Sequence, residues 1–389
     1  MKRTCAICST TNKKYIYTQS FVVTKSKLFS YDVTLCRKCG FLFADNIPSQ
    51  KEYNVFYKNN SKYTYNKNIP LGLKKIYKDI FLVSNLFLKM HFPELKKRTF
   101  KILDIGCSIG YILKLFKDVG FMSTKGIEPS SSCKSIAKKL YGIQVVNCSL
   151  AEFQKNEKFD LIIMTGILEH LCDLNGTLHK VYSLLNNDGL LMVAVPDVDK
   201  FSKNPIAPFD EFSLEHINYF NRNTLSSLMS NHCFKNIYSK SIEAKFYDSK
   251  LILSFFKKVT RKEKNKKDNN GYFAVKRYIL RSTKRLKVVN IRIDSLIDSS
   301  SKIVIWGAGS LTARLLASTG LSKTNIKFLV DSNKGLQGKK MGNMIISSPN
   351  ILKELDGDYK VFISSYIYGK EIKDTLIKKY HFRGEIITL

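Results

Sequence analysis

A glycine turn between a predicted buried strand and a predicted helix, in the first third of the chain, constrains the fold more than any other feature. Residues 102–105 form an apolar run around Asp104, which is typical of a buried strand, and Gly106 and Gly110 follow at once. Glycine permits the sharp bend and the close approach of a ligand, and a helix that starts here directs unpaired N–H groups into the turn. Glu128 ends a second predicted strand 24 positions after Asp104, where a carboxylate can bind both hydroxyls of a ribose. The pattern predicts an α/β domain that binds a nucleoside-containing ligand.

The segments that follow favour S-adenosylmethionine (SAM) over a dinucleotide. Residues 158–164 predict a fourth strand, and residues 190–195 predict a fifth strand that Pro196 closes. The sequence Leu-Glu-His-Leu at residues 168–171 lies just past the fourth strand. In this order, the turn, the acid and the Leu-Glu-His-Leu signature resemble the class I SAM-dependent methyltransferases, whose glycine-rich motif corresponds to residues 104–110.

The resemblance implies a Rossmann-like α/β methyltransferase core and a set of residues that hold SAM. Residues 149–150 occupy the position that contacts adenine in the family, and residues 165–166 face the methionine part. Two roles stay possible for Glu152, which can contact adenine or cap a helix. Two roles also stay possible for His170, which can act in the site or serve as a structural residue of the signature. The implied cofactor-binding residues are Asp104, Gly106, Cys107, Ser108, Gly110, Glu128, Pro129, Ser149, Leu150, Thr165, Gly166 and His170.

Length and composition predict a cytoplasmic protein of two or three domains. The chain has 389 residues, and single cores rarely exceed about 250–300 residues. The first eleven residues are polar and lack the apolar core of a signal peptide. The apolar run at 80–90 is too short for a membrane span, which needs about 20 residues. Four of the nine cysteines lie in two Cys-x-x-Cys pairs and the other five are scattered along the chain. This distribution predicts free thiols and metal ligands rather than disulfides.

The net charge of +32 predicts an affinity for polyanions. Nucleic acid, anionic lipid and a diphosphate-linked substrate all satisfy this condition. The charge is spread along the chain, so composition alone does not choose among these partners.

Two Cys-x-x-Cys pairs near the N-terminus predict a structural zinc site. Four thiolates can occupy the corners of a tetrahedron, which leaves no open position for catalysis. The segment between the pairs, residues 14–34, alternates as a hairpin does. The alternatives are coincidental thiols or a redox pair. The predicted ligands are Cys5, Cys8, Cys36 and Cys39.

Tyrosines are frequent between residues 41 and 65, and two interpretations stay open for them. They can pack around a small zinc module, or they can form an aromatic platform for nucleic acid. Residues 71–92 follow with apolar side chains at helical spacing, which predicts the helix that leads into the methyltransferase core. The tyrosines are Tyr53, Tyr57, Tyr63 and Tyr65.

A second group of residues with catalytic chemistry follows a loop at 196–209 that is long enough to cover a substrate. Residues 212–225 resemble the Glu-His segment of small-molecule methyltransferases of this class. Histidine titrates near neutral pH, so His216 is a candidate general base, and Glu215 can orient it or bind a substrate hydroxyl. A structural role for His216 under the loop is the alternative, and Tyr219 is a candidate substrate contact.

The C-terminal third contains a second strand, glycine turn and helix. Residues 265–270 form a polar hinge, and residues 273–300 predict a basic helical connector, with a nucleic-acid helix as the alternative. Asp331 is placed where a dinucleotide domain holds a ribose, but about 90 residues with few strands favour a half-site for one nucleotide diphosphate. The residues of this half-site are Gly307, Gly309 and Ser310.

The three parts in this order resemble the sugar C-methyltransferases, which act on nucleotide-linked keto-deoxysugars. The resemblance implies a zinc module at 1–68, a methyltransferase core at 69–248, a basic helical connector at 249–300 and a smaller Rossmann-like α/β domain at 301–389. Glu215 and His216 match the family's acid–base residues, but Ser213 occupies the position of its tyrosine. Both carbon and oxygen methylation of a sugar or glycan precursor therefore stay open.

Two other functions are compatible with the same residues. A tRNA or rRNA methyltransferase is favoured by the basic charge and the zinc module, although no basic run alternates with aromatic residues. A non-catalytic scaffold would keep the fold without the activity, but Glu128 and His216 argue against it.

Overall fold

The structure is a computed structural model, and it describes residues 1–23, 28–53, 71–154, 157–201, 207–244, 249–262, 267–297, 301–355 and 358–389. Tyr57, Tyr63 and Tyr65 lie outside these ranges, as does part of the predicted hinge and part of the predicted loop over the substrate. None of the described helices is long and apolar enough to cross a membrane.

The described strands alternate with helices along the core and the C-terminal third of the chain. The strands are β1 (Lys13–Val22), β2 (Leu28–Cys36), β3 (Leu42–Asp45), β4 (Ile102–Ile105), β5 (Thr124–Ile127), β6 (Val145–Val146), β7 (Phe159–Thr165), β8 (Leu185–Pro196), β9 (Asn218–Tyr219), β10 (Phe234–Ala244), β11 (Ser249–Lys258), β12 (Lys302–Trp306), β13 (Ile326–Val330), β14 (Lys340–Met341), β15 (Met344–Ser347), β16 (Tyr359–Ile363) and β17 (Ile386–Thr388). The longer helices are α1 (Leu71–His91), α2 (Tyr111–Asp118), α3 (Ser131–Tyr141), α4 (Leu174–Leu184), α5 (Arg222–Asn231), α6 (Asn270–Ile297), α7 (Ser310–Ser318) and α8 (Gly369–Lys378).

The central sheet has the order β6-β5-β4-β7-β8-β11-β10. Strands β4 to β8 run parallel, and β11 runs antiparallel to both β8 and β10. The apolar runs predicted as strands are buried, which is the pattern of a parallel sheet covered on both faces. The predicted α/β Rossmann-like fold is confirmed, and the carboxyl ends of β4, β5 and β7 meet at one edge, where open α/β sheets bind ligands.

The core extends beyond the predicted boundary at residue 248. Strand β11 pairs with β8 along seven positions and with β10 along ten, so residues 249–258 belong to the methyltransferase sheet and not to the connector. The pairing joins residues about 60 positions apart in sequence, as in Leu253 opposite Ala194, and no local pattern reveals it. The helical part of the predicted connector is α6.

The N-terminal sheet is shared between two segments of the chain. The predicted hairpin forms from β1 and β2, and β3 extends it. The fourth strand is β9, which comes from the segment predicted to hold the catalytic histidine. Arg3 stabilises the contact between β3 and the segment that contains β9. It is buried and donates to the carbonyls of Ala44 and Ile217 and to the Asn218 side chain, at 2.7–3.0 Å.

The C-terminal domain contains more strands than the sequence analysis predicted. Its sheet has the order β14-β15-β13-β12-β16-β17, with β14 antiparallel and the others parallel. The additional strands are two to four residues long, too short to show a period. Helix α7 contacts the rest of the molecule through Arg314, whose guanidinium donates to the carbonyls of Pro208 and Phe212 and lies 5.1 Å from the ring centre of Phe21.

Candidate active site

The glycine turn after β4 has the conformation that the sequence predicts. Gly106, Ser108 and Gly110 have φ values of 70°, 49° and 74°, in the left-handed region that favours glycine. A Cβ atom on Gly106 would lie 2.2 Å from Cδ1 of Ile167, so a larger residue would crowd the start of the cleft. Cys107 turns its sulfur toward Gly126 and the core, which leaves its backbone to face the turn.

Glu128 holds the glycine turn and the start of α3 together. One carboxylate oxygen accepts the amide of Ser108 and the other accepts the amide of Ser130, each at 3.0 Å. Burial raises the pKa of Glu128, and the two amide hydrogen bonds act in the opposite direction. Glu128 therefore lies at the turn, as predicted for an acid that binds ribose.

A small cleft opens between the glycine turn, the end of β7 and α1. Its lining includes Asp104, Ser108, Thr165 and Tyr77. The Thr165 hydroxyl is buried and has no hydrogen-bond partner among the described residues, as expected for a group that meets a ligand. Burial and the charge of Glu128 raise the pKa of Asp104, so a cationic ligand group would favour its ionised form. These features fit SAM, which carries a ribose, an amino group and a sulfonium.

Two residues of this site escaped the sequence analysis. Tyr77 reaches the cleft from α1, and only the packing of that helix on the turn places it there. Asn147 donates its side-chain amide to the carbonyls of Glu128 and Pro129, at 2.9 and 2.8 Å. Asn147 follows β6 directly, so its position at the carboxyl edge of the sheet was the available signal.

The predicted adenine-contacting residues lie just beyond β6. Glu152 accepts the amide and the hydroxyl of Ser149 at 2.8 and 2.7 Å, so it closes a local turn, and no described helix begins here for it to cap. Leu150 is half-buried beside them. Gly166, with φ 67°, carries the chain away from the end of β7.

Glu169, His170 and His216 form a compact cluster beside the cleft. One ligand atom from each residue lies within 4.8 Å of the others, and the two imidazole rings meet edge to face at 4.9 Å. His170 contacts the carbonyl of Glu215 through Nδ1 at 3.0 Å, and the amide of Ile217 donates to the carbonyl of Glu169. The Leu-Glu-His-Leu signature and the Glu-His segment, 45 residues apart, thus come together in the fold.

Ser213 shapes the turn that presents His216. Its hydroxyl accepts the amides of Glu215 and His216 at 3.3 and 3.1 Å. The prediction that Tyr219 binds substrate is not supported: its side chain is buried among aromatic rings, and its hydroxyl meets that of Tyr31 at 3.3 Å. Strand β9 turns Tyr219 inward because it pairs with the N-terminal sheet, a contact that no local pattern shows.

Glu211 is a further acid at this site that the sequence analysis missed. The residue is half-buried, but its carboxyl group is enclosed by protein, and burial raises its pKa to about 8, with the charges of Asp210 and Glu169 acting in the same direction. Its amide donates to the Tyr278 hydroxyl at 2.8 Å.

The raised pKa of Glu211 predicts a pH-dependent stability. A carboxyl that titrates near 8 when folded and near 4.5 when unfolded binds more protons in the folded state between these values, so stability falls as pH rises through that window. Glu211→Gln cannot ionise, and its melting temperature should exceed that of the wild type increasingly from pH 5 to pH 9. Thermal unfolding at several pH values measures this, with Glu94→Gln, an exposed glutamate of another segment, as control. A constant difference between wild type and Glu211→Gln would contradict the assignment.

The four N-terminal cysteines form one cluster, as predicted. The sulfur atoms of Cys5 and Cys39 lie 3.5 Å apart, those of Cys8 and Cys36 lie 3.4 Å apart, and all four are within 4.8 Å of one another. Tetrahedral zinc with bonds of about 2.3 Å needs sulfurs about 3.8 Å apart. The hydrogen bond with the Cys39 thiol lowers the pKa of Cys5, the direction that favours a metal-binding thiolate. The donor set and its geometry fit a structural zinc ion.

The C-terminal glycine turn repeats the design of the first. Gly307 has φ 118°, Gly309 precedes α7 with open space around its α-carbon, and Ser310 begins that helix. Asp331, past the end of β13, accepts the amide of Ala308 at 2.8 Å, much as Glu128 accepts an amide of the first turn.

Residues 80–239 match the family model described as a methyltransferase domain, and residues 299–386 match one described as C2185-like, N-terminal. The first match runs from within α1 to within β10, so it includes the glycine turn and the Glu169–His170–His216 cluster but not β11. The chain contains a class I SAM-dependent methyltransferase domain. The rest of the molecule adds the cysteine cluster before this domain and a second α/β domain after it.

Curated relatives match only part of this domain. The ubiquinone biosynthesis O-methyltransferase of Rhodopseudomonas palustris is 28% identical over 99 residues, which are 24% of this chain and 39% of that protein. The malonyl-[acyl-carrier protein] O-methyltransferase of Acetivibrio thermocellus is 28% identical over 113 residues, or 28% of this chain and 40% of that protein. The chain thus spans about two fifths of the length of these relatives.

Solved methyltransferases resemble part of the chain. The 1,6-didemethyltoxoflavin-N1-methyltransferase of Burkholderia thailandensis has a TM-score of 0.43 at 16% identity and covers 58% of this chain and 97% of its own. The magnesium protoporphyrin IX methyltransferase of Synechocystis, with bound SAM, has a TM-score of 0.38 at 13% identity and covers 54% of this chain and 99% of its own. TM-scores below 0.5 are too low to carry an assignment of function.

Proposed function

We propose that the protein transfers a methyl group from SAM to a small molecule, and that this molecule is a nucleotide-linked sugar or a related glycan precursor. The observation that carries the proposal is the position of the Glu169–His170–His216 cluster just past the end of β7, where Glu169 Oε1 approaches Gly166, the residue after Thr165 of the cleft. A group that can accept a proton therefore lies next to a site that fits the methyl donor.

Residues at the carboxyl edge of the sheet would hold SAM. Glu128 would bind the ribose hydroxyls, the segment around Ser149 and Leu150 would contact adenine, and Thr165 with Asp104 would face the methionine part. When bound, SAM supplies an electrophilic methyl group on a sulfonium. Fixing the acceptor against that group is the main task of the protein, since good orientation can recover about 7–11 kcal/mol of a barrier.

His216 is proposed as the general base. For a hydroxyl acceptor it would take the O–H proton, and for a ketone acceptor it would take the proton from the carbon next to the carbonyl. Glu215 is buried next to it and is proposed to position the acceptor or the imidazole. The turn formed by Ser213 holds both residues toward the cluster.

Three features favour a diphosphate-linked acceptor over other small molecules. The C-terminal turn at Gly307, Gly309 and Ser310 presents a helix start, the usual place for phosphate, and Arg314 ties that helix to the segment before Glu215. The net charge of +32 favours an anionic partner. We also propose that Cys5, Cys8, Cys36 and Cys39 bind a structural zinc ion and that the protein works in the cytoplasm.

Replacing His216 by alanine should abolish methyl transfer without weakening SAM binding. General-base catalysis contributes about 10²–10⁴-fold, so a loss of that size in kcat is expected. Turnover with nucleotide-linked keto-sugars is followed by formation of S-adenosylhomocysteine, and SAM affinity is followed by calorimetry. The control is His232→Ala, a half-buried histidine outside the cluster that contacts Asn175.

Unchanged turnover in His216→Ala would refute the base assignment. Salt-sensitive submicromolar binding of RNA, with no binding of nucleotide sugars, would instead favour an RNA methyltransferase. Absence of SAM binding in the wild type would favour a scaffold.

A further inference from the structure

The Glu169–His170–His216 cluster has the composition and spacing of a metal site separate from the four cysteines. Its three ligand atoms lie within 4.8 Å of one another. Three ligands of one ion, each about 2.0–2.2 Å from it, lie about 3.3–3.8 Å apart in tetrahedral or trigonal geometry. The side chains therefore need to approach one another by at most about 1.5 Å to share an ion.

Glu169 is the strongest indication that a cation belongs here. Its side chain is buried, and its Oε2 atom has no hydrogen-bond partner among the described residues. A buried carboxylate without a partner is costly, and a bound cation would satisfy it.

His170 is already oriented as metal-binding histidines are. Its Nδ1 lies 3.0 Å from the carbonyl oxygen of Glu215, which can only accept, so Nδ1 carries the proton and Nε2 keeps a lone pair. Metal-bound histidines commonly donate their second ring nitrogen to a carbonyl in this way. Glu215 thereby fixes the tautomer of His170 as well as its direction.

We propose that Glu169, His170 and His216 bind one divalent transition-metal ion, and that the bound ion blocks methyl transfer. Two imidazoles and a carboxylate select ions such as Zn²⁺ or Co²⁺ over Mg²⁺ and Ca²⁺. The inhibition follows because a nitrogen of His216 that binds the ion cannot accept a proton. This part of the inference rests on the proposed function, in which His216 is the general base. The site thus makes the enzyme sensitive to free zinc.

Cobalt binding tests the site directly. The full-length protein, purified with zinc in its cysteine cluster, is titrated with Co²⁺ and, separately, with Zn²⁺. One Co²⁺ per chain should bind with visible d–d absorption and without the thiolate charge-transfer band of a cysteine site. Glu169→Gln should weaken this binding at least about tenfold, and His232→Ala should leave it unchanged. Zn²⁺ should displace the Co²⁺ and inhibit turnover with the same concentration dependence.

The outcomes separate this inference from the proposed function. Absence of Co²⁺ binding, equal binding by Glu169→Gln, or activation by Zn²⁺ would overturn the inference. Loss of the cobalt spectrum in Glu169→Gln supports the metal site whether or not an acceptor has been found. A wild type that binds Co²⁺ but methylates no acceptor would count against the proposed function alone.

Discussion

Replacing Cys36 by serine should unfold the N-terminal sheet and remove one zinc ion per chain. Structural zinc contributes about 10–16 kcal/mol of apparent binding energy, which is comparable to the whole stability of a typical domain. The sheet is small, and its strand β2 ends at Cys36 itself, so its own apolar burial cannot replace the metal. Metal analysis and thermal unfolding of the reduced protein measure the effect.

The loss should reach the catalytic segment as well. Strand β9 pairs with β3 of the N-terminal sheet, and the chain after β9 packs on the core. Arg3, close to the first cysteine of the cluster, hydrogen-bonds to Ile217 and Asn218. Because His216 directly precedes these two residues, turnover should fall together with the zinc content. The matched control is Cys233→Ser, a half-buried cysteine outside the cluster. Normal melting and turnover in Cys36→Ser would show that the cluster is not a structural metal site.

Replacing Glu128 by alanine should weaken SAM binding by about 10²–10⁴-fold. A hydrogen bond to a charged group is worth about 1.5–3 kcal/mol, and one carboxylate can bind both ribose hydroxyls. Two such bonds amount to about 3–6 kcal/mol, and each 1.4 kcal/mol is a factor of ten. Calorimetry with SAM and with S-adenosylhomocysteine measures the change.

A control must separate lost ligand contacts from a collapsed turn. Glu128 also accepts the amides of Ser108 and Ser130, so the melting temperature of the variant is compared with that of the wild type. Glu157→Ala removes a glutamate that pairs with Lys125 on the same domain and should leave SAM affinity unchanged. Equal SAM affinity in wild type and Glu128→Ala would remove Glu128 from the cofactor site.

The sequence was sufficient to predict the parts of the fold that depend on neighbouring residues. Strands such as β4 and β7 are continuous apolar runs, and the turn at Gly106 needs φ values that glycine favours, so both leave a local pattern. The two Cys-x-x-Cys pairs are equally local, and their joining into one cluster follows from the hairpin between them.

Features that depend on distant contacts could not be predicted. Strand β11 joins the core through β8, Tyr219 turns inward through the pairing of β9 with β3, and Arg314 is buried by carbonyls more than 100 positions away. Tyr77 and Glu211 reach the site only through the packing of their segments. The motif residues of the site could be predicted from the sequence, whereas the residues that reach the site from other segments could not.

The binding of S-adenosylhomocysteine to the wild-type protein tests the central claim most directly. Calorimetry should show one site per chain with micromolar or tighter affinity, and the Glu128→Ala variant should show little or no heat at the same concentrations. A wild-type protein that gives no heat with S-adenosylhomocysteine but binds a nicotinamide dinucleotide would contradict the claim that the turn between Asp104 and Gly110 holds SAM.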